Sequence, residues 1–294
     1  MLMDRKYIFS LLLVLSGVFF TVTNVQAQDK KEKDKDKIEL YQRYTPISWF
    51  YNEYWAQPFA TTAIQSLHTV LFPRINSNAK ILDLMCGSGR VTNALKKRGY
   101  KMTGLDASEG MLNFARVNAP GVPFMLDDAR LFDIKDEFDA VICMNNGLNH
   151  ILQWKELVMA YSKVYASLKK GGYFVFDMSL EEHYKNSFSK QRNWVERDNF
   201  SCLYNFNYNP QERLGAIDFV MFLAKQPAKT PEEKAAQVWG RVSWRVTQYC
   251  YSHLKIIDAL EKVGFTVIKV YDGQDDLKRG AYNKGRRYYL CQKK

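Results

Sequence analysis

The sequence lacks the cysteine pairs that mark metal sites and disulfide frameworks. It holds five cysteines, an odd number, and no C-x-x-C pair occurs. Neither a zinc site nor a disulfide framework is indicated, and we expect no metal. The G-x-S-x-G and H-E-x-x-H signatures are missing as well. Their absence argues against the hydrolases and metalloproteases that carry them.

Acidic residues are in deficit relative to basic ones. Lys and Arg number 42 against 31 Asp and Glu, a formal net charge of +11. Such a balance can favour acidic partners or a membrane surface, but a lysine-rich soluble surface is the simpler interpretation. With 294 residues, 47% hydrophobic and 14% aromatic, the chain is long enough for one large α/β domain with an insertion.

The N-terminal residues differ in composition from the rest. Residues 1–27 have a short charged start, an apolar run at 7–22 and a small residue at Ala27, which is typical of a cleaved signal peptide. An uncleaved membrane anchor is the alternative, because the run is only slightly short for a span. Residues 28–40 are a mixed-charge linker. We therefore expect export or membrane anchoring, with anchoring on the cytoplasmic face left open. The unpaired cysteines fit a reducing compartment better, so the two indications conflict.

From residue 41 to residue 294 the pattern predicts one α/β domain. An aromatic segment and a helix precede alternating strands and helices, which favours a mostly parallel sheet with helices on both faces. We predict strands at 80–84, 101–105, 122–126, 139–144, 173–178, 265–271 and 286–292. The main helices are expected at 89–98, 108–117, 154–169 and 253–263. Residues from about 181 to 251 are β-prone and predict an antiparallel insertion of three or four strands.

The stretch KILDLMCGSGRVTNALKKRGYKMTGLDAS, residues 80–108, reads as strand, glycine turn, helix and strand. Gly87 and Gly89 let the backbone approach a ligand closely at the carboxyl edge of the sheet. The dinucleotide pattern needs a third small residue, but position 92 is Thr. Asp83 would repel a pyrophosphate and attract an ammonium group, whereas Asp106 is placed to bind ribose hydroxyls. A ligand with a ribose, a cationic group and no phosphate is S-adenosylmethionine.

The same stretch resembles the first two motifs of class I S-adenosylmethionine-dependent methyltransferases. FMLDDARLFD resembles their third motif, and FDAVICMNNGLNHIL their fourth strand with the loop after it. The resemblance implies a Rossmann-like, doubly wound seven-stranded sheet whose last strand is antiparallel. It also implies that the β insertion and an N-terminal helical lid close over the cofactor. The cofactor-binding residues that it implies are Asp83, Cys86, Gly87, Gly89, Asp106, Ala107, Asp128, Ala129, Asn145, Tyr51 and Trp55, with Asp128 at the adenine amino group and Ala129 at the ring edge.

The loop MNNGLNH should face the reacting methyl group. Asn146 and Asn149 are candidates for orienting the substrate, and His150 is the candidate base if the nucleophile arrives protonated. A structural hydrogen bond of His150 is the alternative. Tyr51 and Trp55, four residues apart on a predicted helix, could cover the methionine end or simply pack in the core.

The expected activity is methyl transfer to N or O of a small molecule. The sequence has no Asp/Asn-Pro-Pro-aromatic after the fourth strand and no Pro-Cys, which argues against two classes of DNA methyltransferase. An RNA methyltransferase is an alternative, based on the basic, tyrosine-containing tail LKRGAYNKGRRYY. A catalytically silent S-adenosylmethionine-binding scaffold is another, since fold does not guarantee activity.

Overall fold

The structure is a computed structural model, and it describes residues 44–225, 230, 232–233 and 236–294. The predicted signal peptide or anchor and the charged linker lie outside these residues, as do residues 41–43 of the predicted domain. Among the residues described, no helix has the length and apolar character needed to cross a membrane.

The strands follow the predicted order. They are β1 (Lys80–Leu84), β2 (Lys101–Asp106), β3 (Phe124–Leu126), β4 (Phe138–Cys143), β5 (Leu168–Ser179), β6 (Ser189–Arg197), β7 (Phe200–Asn209), β8 (Leu214–Ala224), β9 (Trp239–Tyr249), β10 (Phe265–Asp272) and β11 (Arg286–Lys293). The principal helices are α1 (Ala56–Val70), α2 (Arg90–Lys96), α3 (Glu109–Asn118), α4 (Trp154–Ser167), α5 (Glu181–Ser187) and α6 (His253–Val263).

Seven strands form the main sheet in the order β10-β11-β5-β4-β1-β2-β3. Strands β1 to β5 pair in parallel, and β11 lies antiparallel between β5 and β10. The predicted seven-stranded sheet with an antiparallel last strand is thus confirmed. The largest boundary difference is at β5, which was predicted to start at residue 173. It starts at Leu168, so α4 ends at Ser167, and most other boundaries differ by one or two residues.

Both faces of the sheet are buried, because alternate residues of each central strand point to opposite sides. In β4, Val141 packs into the core beneath α4 and α6, whereas Ile142 packs into the core beneath α1. The near-continuous apolar runs of β1 and β4 are what such double burial requires. The carboxyl ends of the parallel strands are therefore left as the edge where polar residues can collect.

The insertion forms a second sheet of four antiparallel strands in the order β6-β7-β8-β9. Its inner face packs against α5 and a helical segment that begins at Thr45. That segment has a 3-10 turn (Thr45–Ile47), one α-helical turn (Ser48–Phe50) and a π-helical turn (Tyr51–Trp55) leading into α1. The predicted antiparallel insertion and the N-terminal helix are both present.

Candidate active site

The glycine turn after β1 lies at the carboxyl edge of the main sheet. Gly87 and Gly89 both have left-handed backbone angles, with φ of 54° and 73°. A Cβ at Gly89 would come within 2.9 Å of the Ala115 Cβ on α3, so only glycine fits there. At Gly87 the nearest atom to an added Cβ is Tyr51 Cε1, at 3.6 Å. The turn can therefore approach a ligand closely beneath the Tyr51 ring.

Asp106, at the end of β2, joins the turn to the start of α3. Its Oδ2 accepts a hydrogen bond from the Gly87 N–H at 2.8 Å, and its Oδ1 accepts one from the Ser108 N–H at 2.9 Å. Each oxygen keeps further acceptor capacity, so the carboxyl can still bind hydroxyl groups. Burial raises the pKa of Asp106 to about 6 despite these N–H donors. The predicted neighbours Cys86 and Ala107 flank this contact, and the Cys86 N–H donates to the Leu105 carbonyl.

Asp83 lies inside β1 and is almost fully buried. Its Oδ2 accepts a hydrogen bond of 2.5 Å from the Thr92 hydroxyl. Burial raises the pKa of Asp83 to about 7. Within the part of the chain that the structure describes, neither Asp83 nor Asp106 forms an ion pair. The turn is therefore lined by carboxyl groups that lack a cationic partner.

Both carboxylate oxygens of Asp128 are bound by Arg130. Its two oxygens accept bonds from Arg130 Nε at 2.8 Å and Nη2 at 2.6 Å, and Arg130 also reaches Glu156 at 2.8 Å. An adenine amino group at Asp128 would have to share these oxygens with Arg130. Ala129 is buried beside it. The adenine contacts of both residues stay predictions.

The loop after β4 begins with two consecutive left-handed residues, Asn145 (φ 63°) and Asn146 (φ 58°). Their N–H groups donate to the two oxygens of Asp177, at 2.6 and 3.1 Å. Asp177 is 1% exposed and lies 3.5 Å from Nη1 of Arg286, which is 3% exposed. The buried ion pair thus fixes a backbone conformation that is uncommon for residues other than glycine.

Asp177 and Arg286 are absent from the predicted site. Asp177 lies near the carboxyl end of the apolar strand β5, as Asp106 lies at the end of β2, so the same signal could have found it. Arg286 gives no such signal, because its partner is 109 positions away in the chain.

The Asn149 side chain forms its hydrogen bonds with backbone groups of β5 and β9. Its amide nitrogen donates to the carbonyls of Ser179 and Tyr249, and its oxygen accepts from the Ser179 N–H. The side chain is fully buried, and both of its N–H donors are used. The expectation that Asn149 orients a substrate is corrected: the residue joins the loop to β5 and β9.

Both ring nitrogens of His150 have partners. Nδ1 lies 3.1 Å from the Thr247 carbonyl, so it carries the proton. Nε2 then accepts from the Tyr44 hydroxyl at 2.8 Å and from the Gln248 amide at 3.2 Å. The Gln248 oxygen accepts in turn from the Tyr184 hydroxyl at 3.0 Å. Both ring nitrogens of His150 are therefore engaged by other residues, and the hydroxyl on Nε2 is that of Tyr44.

The aromatic pair at the π-helical turn serves two regions. The Tyr51 and Trp55 rings touch at 6.3 Å, but Tyr51 lies over the glycine turn whereas Trp55 packs on Tyr204 and Phe219 of the insertion. Of the two predicted lid residues, only Tyr51 lies next to the predicted cofactor position. Trp55 belongs to the core.

Residues 81–172 match the methyltransferase domain family. YqeM of Bacillus subtilis (strain 168) is 32% identical over 103 residues, which span 34% of this chain and 42% of YqeM, less than half of its length. The ubiquinone biosynthesis O-methyltransferase of Hydrogenovibrio crunogenus is 28% identical over 174 residues, 55% of this chain and 68% of that protein. Among solved structures, S-adenosylmethionine-bound CalS10, an amino pentose methyltransferase from Micromonospora echinaspora, is 18% identical. It gives a TM-score of 0.61 and covers 83% of this chain and 94% of CalS10.

The fold is the Rossmann-like one of S-adenosylmethionine-dependent methyltransferases, with an added antiparallel sheet. The match over residues 81–172 supports the class I S-adenosylmethionine-dependent methyltransferase family that the sequence motifs predicted. The same match supports S-adenosylmethionine as the cofactor. The residues present fit it: among the residues that the structure describes, carboxyl groups without a cationic partner line the turn, and two buried polar atoms, Ser88 Oγ and Asn146 Oδ1, have no hydrogen-bond partner.

Proposed function

We propose that the protein transfers the methyl group of S-adenosylmethionine, by in-line displacement, to N or O of a small molecule. The observation that carries this proposal is the acid-lined glycine turn of Asp83 and Asp106, which lies on the same sheet edge as the Tyr44–His150 pair. Bound there, S-adenosylmethionine would supply an electrophilic methyl group on a sulfonium. The relatives include an O-methyltransferase and an amino pentose methyltransferase, so the proposal names both acceptor atoms.

The chain's own residues would bind the cofactor by charge and hydrogen bonding. Asp106 would accept from the ribose hydroxyls and Asp83 would face the ammonium group. The Tyr51 ring would close the turn from above. Because the reaction disperses positive charge, a dry site walled by aromatic rings is compatible with it. Positioning of the acceptor in line with the methyl group can supply several kcal/mol of the barrier reduction.

Tyr44 and His150 would accept the proton of the nucleophile. The Tyr44 oxygen would take the substrate proton while its own proton moves to His150 Nε2, 2.8 Å away. The imidazolium so formed would donate through Nδ1 to the Thr247 carbonyl, which favours the charged ring. The buried Tyr44 hydroxyl has a pKa well above its usual value because of desolvation and the nearby Tyr51 and Asp106. Proton transfer concerted with methyl transfer avoids a free tyrosinate.

The residues that favoured an RNA substrate have other roles in the structure. Arg286 and Tyr289 are buried, and Arg279 donates to the Gln65 carbonyl and the Ser66 hydroxyl. These contacts favour a small-molecule acceptor over RNA. For the N-terminus we propose export or anchoring through residues 7–22, which rests on the sequence alone. Cell fractionation and N-terminal sequencing test it: a mature start at Gln28 would support a cleaved signal peptide.

The first experiment is calorimetric titration of the full chain with S-adenosylmethionine, its demethylated product and NAD. We expect micromolar binding of the first two and none of NAD. Asp106→Ala should weaken binding about 100-fold or more, because ribose contacts to a buried carboxyl are charge-assisted. Asp133→Ala, which removes a surface carboxyl 71% exposed, is the matched control and should bind normally.

The second experiment measures transfer of a labelled methyl group from S-adenosylmethionine to a panel of primary amines, phenols and alcohols. Label on any acceptor, lost when the cofactor site is disabled, supports the enzyme. Binding without transfer to any acceptor would favour the silent scaffold. A folded protein that binds neither sulfur ligand would contradict the proposal altogether.

A further inference from the structure

The outer face of the insertion sheet, on the side opposite α5 and the N-terminal helical turns, carries an unusual amount of apolar surface. In β8, Ile217, Phe219 and Met221 are buried on the inner face, while Val220 and Phe222 lie on the outer face and are partly exposed. An antiparallel sheet with one solvated face normally alternates apolar and polar side chains. The apolar run of β8 is typical of a strand that is covered on both faces.

Neighbouring strands extend this surface. Leu203 on β7 pairs with Val220, and Trp194 on β6, 60% exposed, pairs with Leu203. Trp239, at the start of β9, pairs with Ala224 and is 39% exposed. We call this surface the outer apolar strip, and its members are Trp194, Leu203, Val220, Phe222 and Trp239. It crosses all four strands, and continuous exposed patches of this kind mark interaction sites.

We propose that the outer apolar strip is the interface of a homodimer in which two copies pack their insertion sheets face to face. The strands have nine to eleven residues. With strands about 4.8 Å apart and residues about 3.4 Å apart, the whole outer face of the sheet, which contains the strip and the polar end together, measures about 19 by 34 Å, or about 650 Å². Two such faces bury about 1,300 Å², which lies within the range of specific interfaces. Aligned packing of two sheets is a common solution for such faces.

The positions of the polar residues on the outer face decide how the twofold axis of the dimer is oriented. The outer apolar strip lies toward one end of the sheet, whereas the other end carries Asn205, Asn207 and the Asp218–Arg245 ion pair. A twofold axis parallel to the strands, between β7 and β8, brings apolar surface onto apolar surface. Leu203 of one copy then faces Val220 of the second copy. An axis across the strands would instead set the strip against the polar end.

The edge charges complement each other under this axis. Glu196 on β6 and Arg241 on β9 lie at opposite edges of the sheet and at the same height along the strands. The register shows this, because Glu196 pairs with Ser201, Ser201 with Phe222, and Phe222 with Arg241. Both are exposed, and neither forms an ion pair within the described part of the chain. The axis places Glu196 beside Arg241 of the second copy, and the contact occurs twice. At the polar end, Arg192 would face Arg245, whose charge Asp218 already neutralises.

Sedimentation equilibrium of the full chain in a nonionic detergent tests the dimer. We expect a reversible monomer–dimer equilibrium whose dissociation constant rises at least about tenfold in Val220→Glu, since this change places a charge at the centre of an apolar interface. Val117→Glu, at an apolar residue on α3 that is 77% exposed, is the control and should dimerise like the unaltered chain. A monomer at every concentration up to about 100 µM would overturn the proposal.

A charge-swap cycle tests the orientation. Glu196→Arg and Arg241→Glu should each raise the dissociation constant about two- to fivefold, as exposed ion pairs do. The double exchange should restore it to within about twofold. Failure of the double exchange to restore dimerisation would overturn the proposed axis. Binding of the unaltered chain to anionic phosphatidylserine vesicles as a monomer, lost in Val220→Glu, would assign the strip to a membrane surface and also overturn the dimer.

Discussion

The candidate active site has two parts, the cofactor side (the glycine turn with Asp83 and Asp106) and the proposed acceptor side (the loop 145–150 after β4, called the acceptor loop, with Tyr44). The contacts that build them join residues at very different separations along the chain. At the glycine turn, Asp83 binds Thr92, nine positions away, and Asp106 binds Gly87, nineteen positions away. In the acceptor loop, His150 binds Thr247 across 97 positions. The cofactor side can therefore form within one β-α-β unit, whereas the acceptor loop reaches its geometry only after the insertion has folded against it.

The largest expected effect is on stability and comes from breaking the Asp177–Arg286 ion pair. The same change tests whether the acceptor side can be disturbed without altering the cofactor affinity. Asp177→Ala leaves the buried Arg286 without a counter-charge and two N–H groups without an acceptor, which should cost about 3–5 kcal/mol of unfolding free energy. Urea unfolding measures this loss. Below the unfolding transition, calorimetry should still give nearly unaltered affinity for S-adenosylmethionine, because Asp83 and Asp106 are untouched.

The double variant Asp177→Ala/Arg286→Met is the matched control. It removes both charges and should recover part of the lost stability. Loss of cofactor binding in the folded single variant would show that the two sides are not separable.

The variant Tyr44→Phe tests the acceptor side alone. The change removes the hydroxyl that donates to His150 Nε2 while keeping the ring, so we expect a 10- to 100-fold loss of kcat with a protonated acceptor. The affinity for S-adenosylmethionine should stay within about twofold. Steady-state kinetics with the best acceptor of the panel measure the effect, and Tyr54→Phe, on the neighbouring helical turn, is the control. An unaltered kcat would leave the Tyr44–His150 pair with a structural role only.

The pH dependence of cofactor affinity gives the smallest effect and tests the cofactor side. The pKa of Asp83, about 7, lies above its ordinary value of about 3.9. The ligand-free protein should therefore lose stability as the pH rises from about 4 to about 7, because the folded state binds more protons there than the unfolded state. The ionised form of Asp83 attracts an ammonium group, so the affinity should rise about tenfold between pH 6 and pH 8.

Calorimetry across this range measures the change. It should level off near pH 8, where an α-ammonium group itself begins to titrate. Asp83→Asn should move the rise down to about pH 6, where Asp106 titrates. A pH-independent affinity in the unaltered chain would exclude Asp83 as the group that faces the ammonium.

Sequence reasoning could predict the cofactor side well for a physical reason. Each buried parallel strand appears as an apolar run, and an acid directly after such a run lies at the carboxyl edge whatever the rest of the chain does. Asp106 was found in this way, and Gly89 was found from the glycine turn that follows the first such run. Asn149 and His150 look equally available in the sequence, but their partners come from β9, about 100 positions away, and no local pattern reports them. The contact between Tyr44 and His150 joins residues 106 positions apart, so no local pattern reports it either.

The bonds that hold the acceptor loop have a consequence for the variation this protein can tolerate. Asn149 and His150 are tied to β9 through the main-chain carbonyls of Tyr249 and Thr247, which every amino acid provides. The side chains at these two strand positions are therefore free to change without releasing the loop. A descendant of this protein could acquire a differently shaped acceptor-binding surface by successive substitutions in the insertion, while the contacts that hold Asn149 and His150 persist at every step.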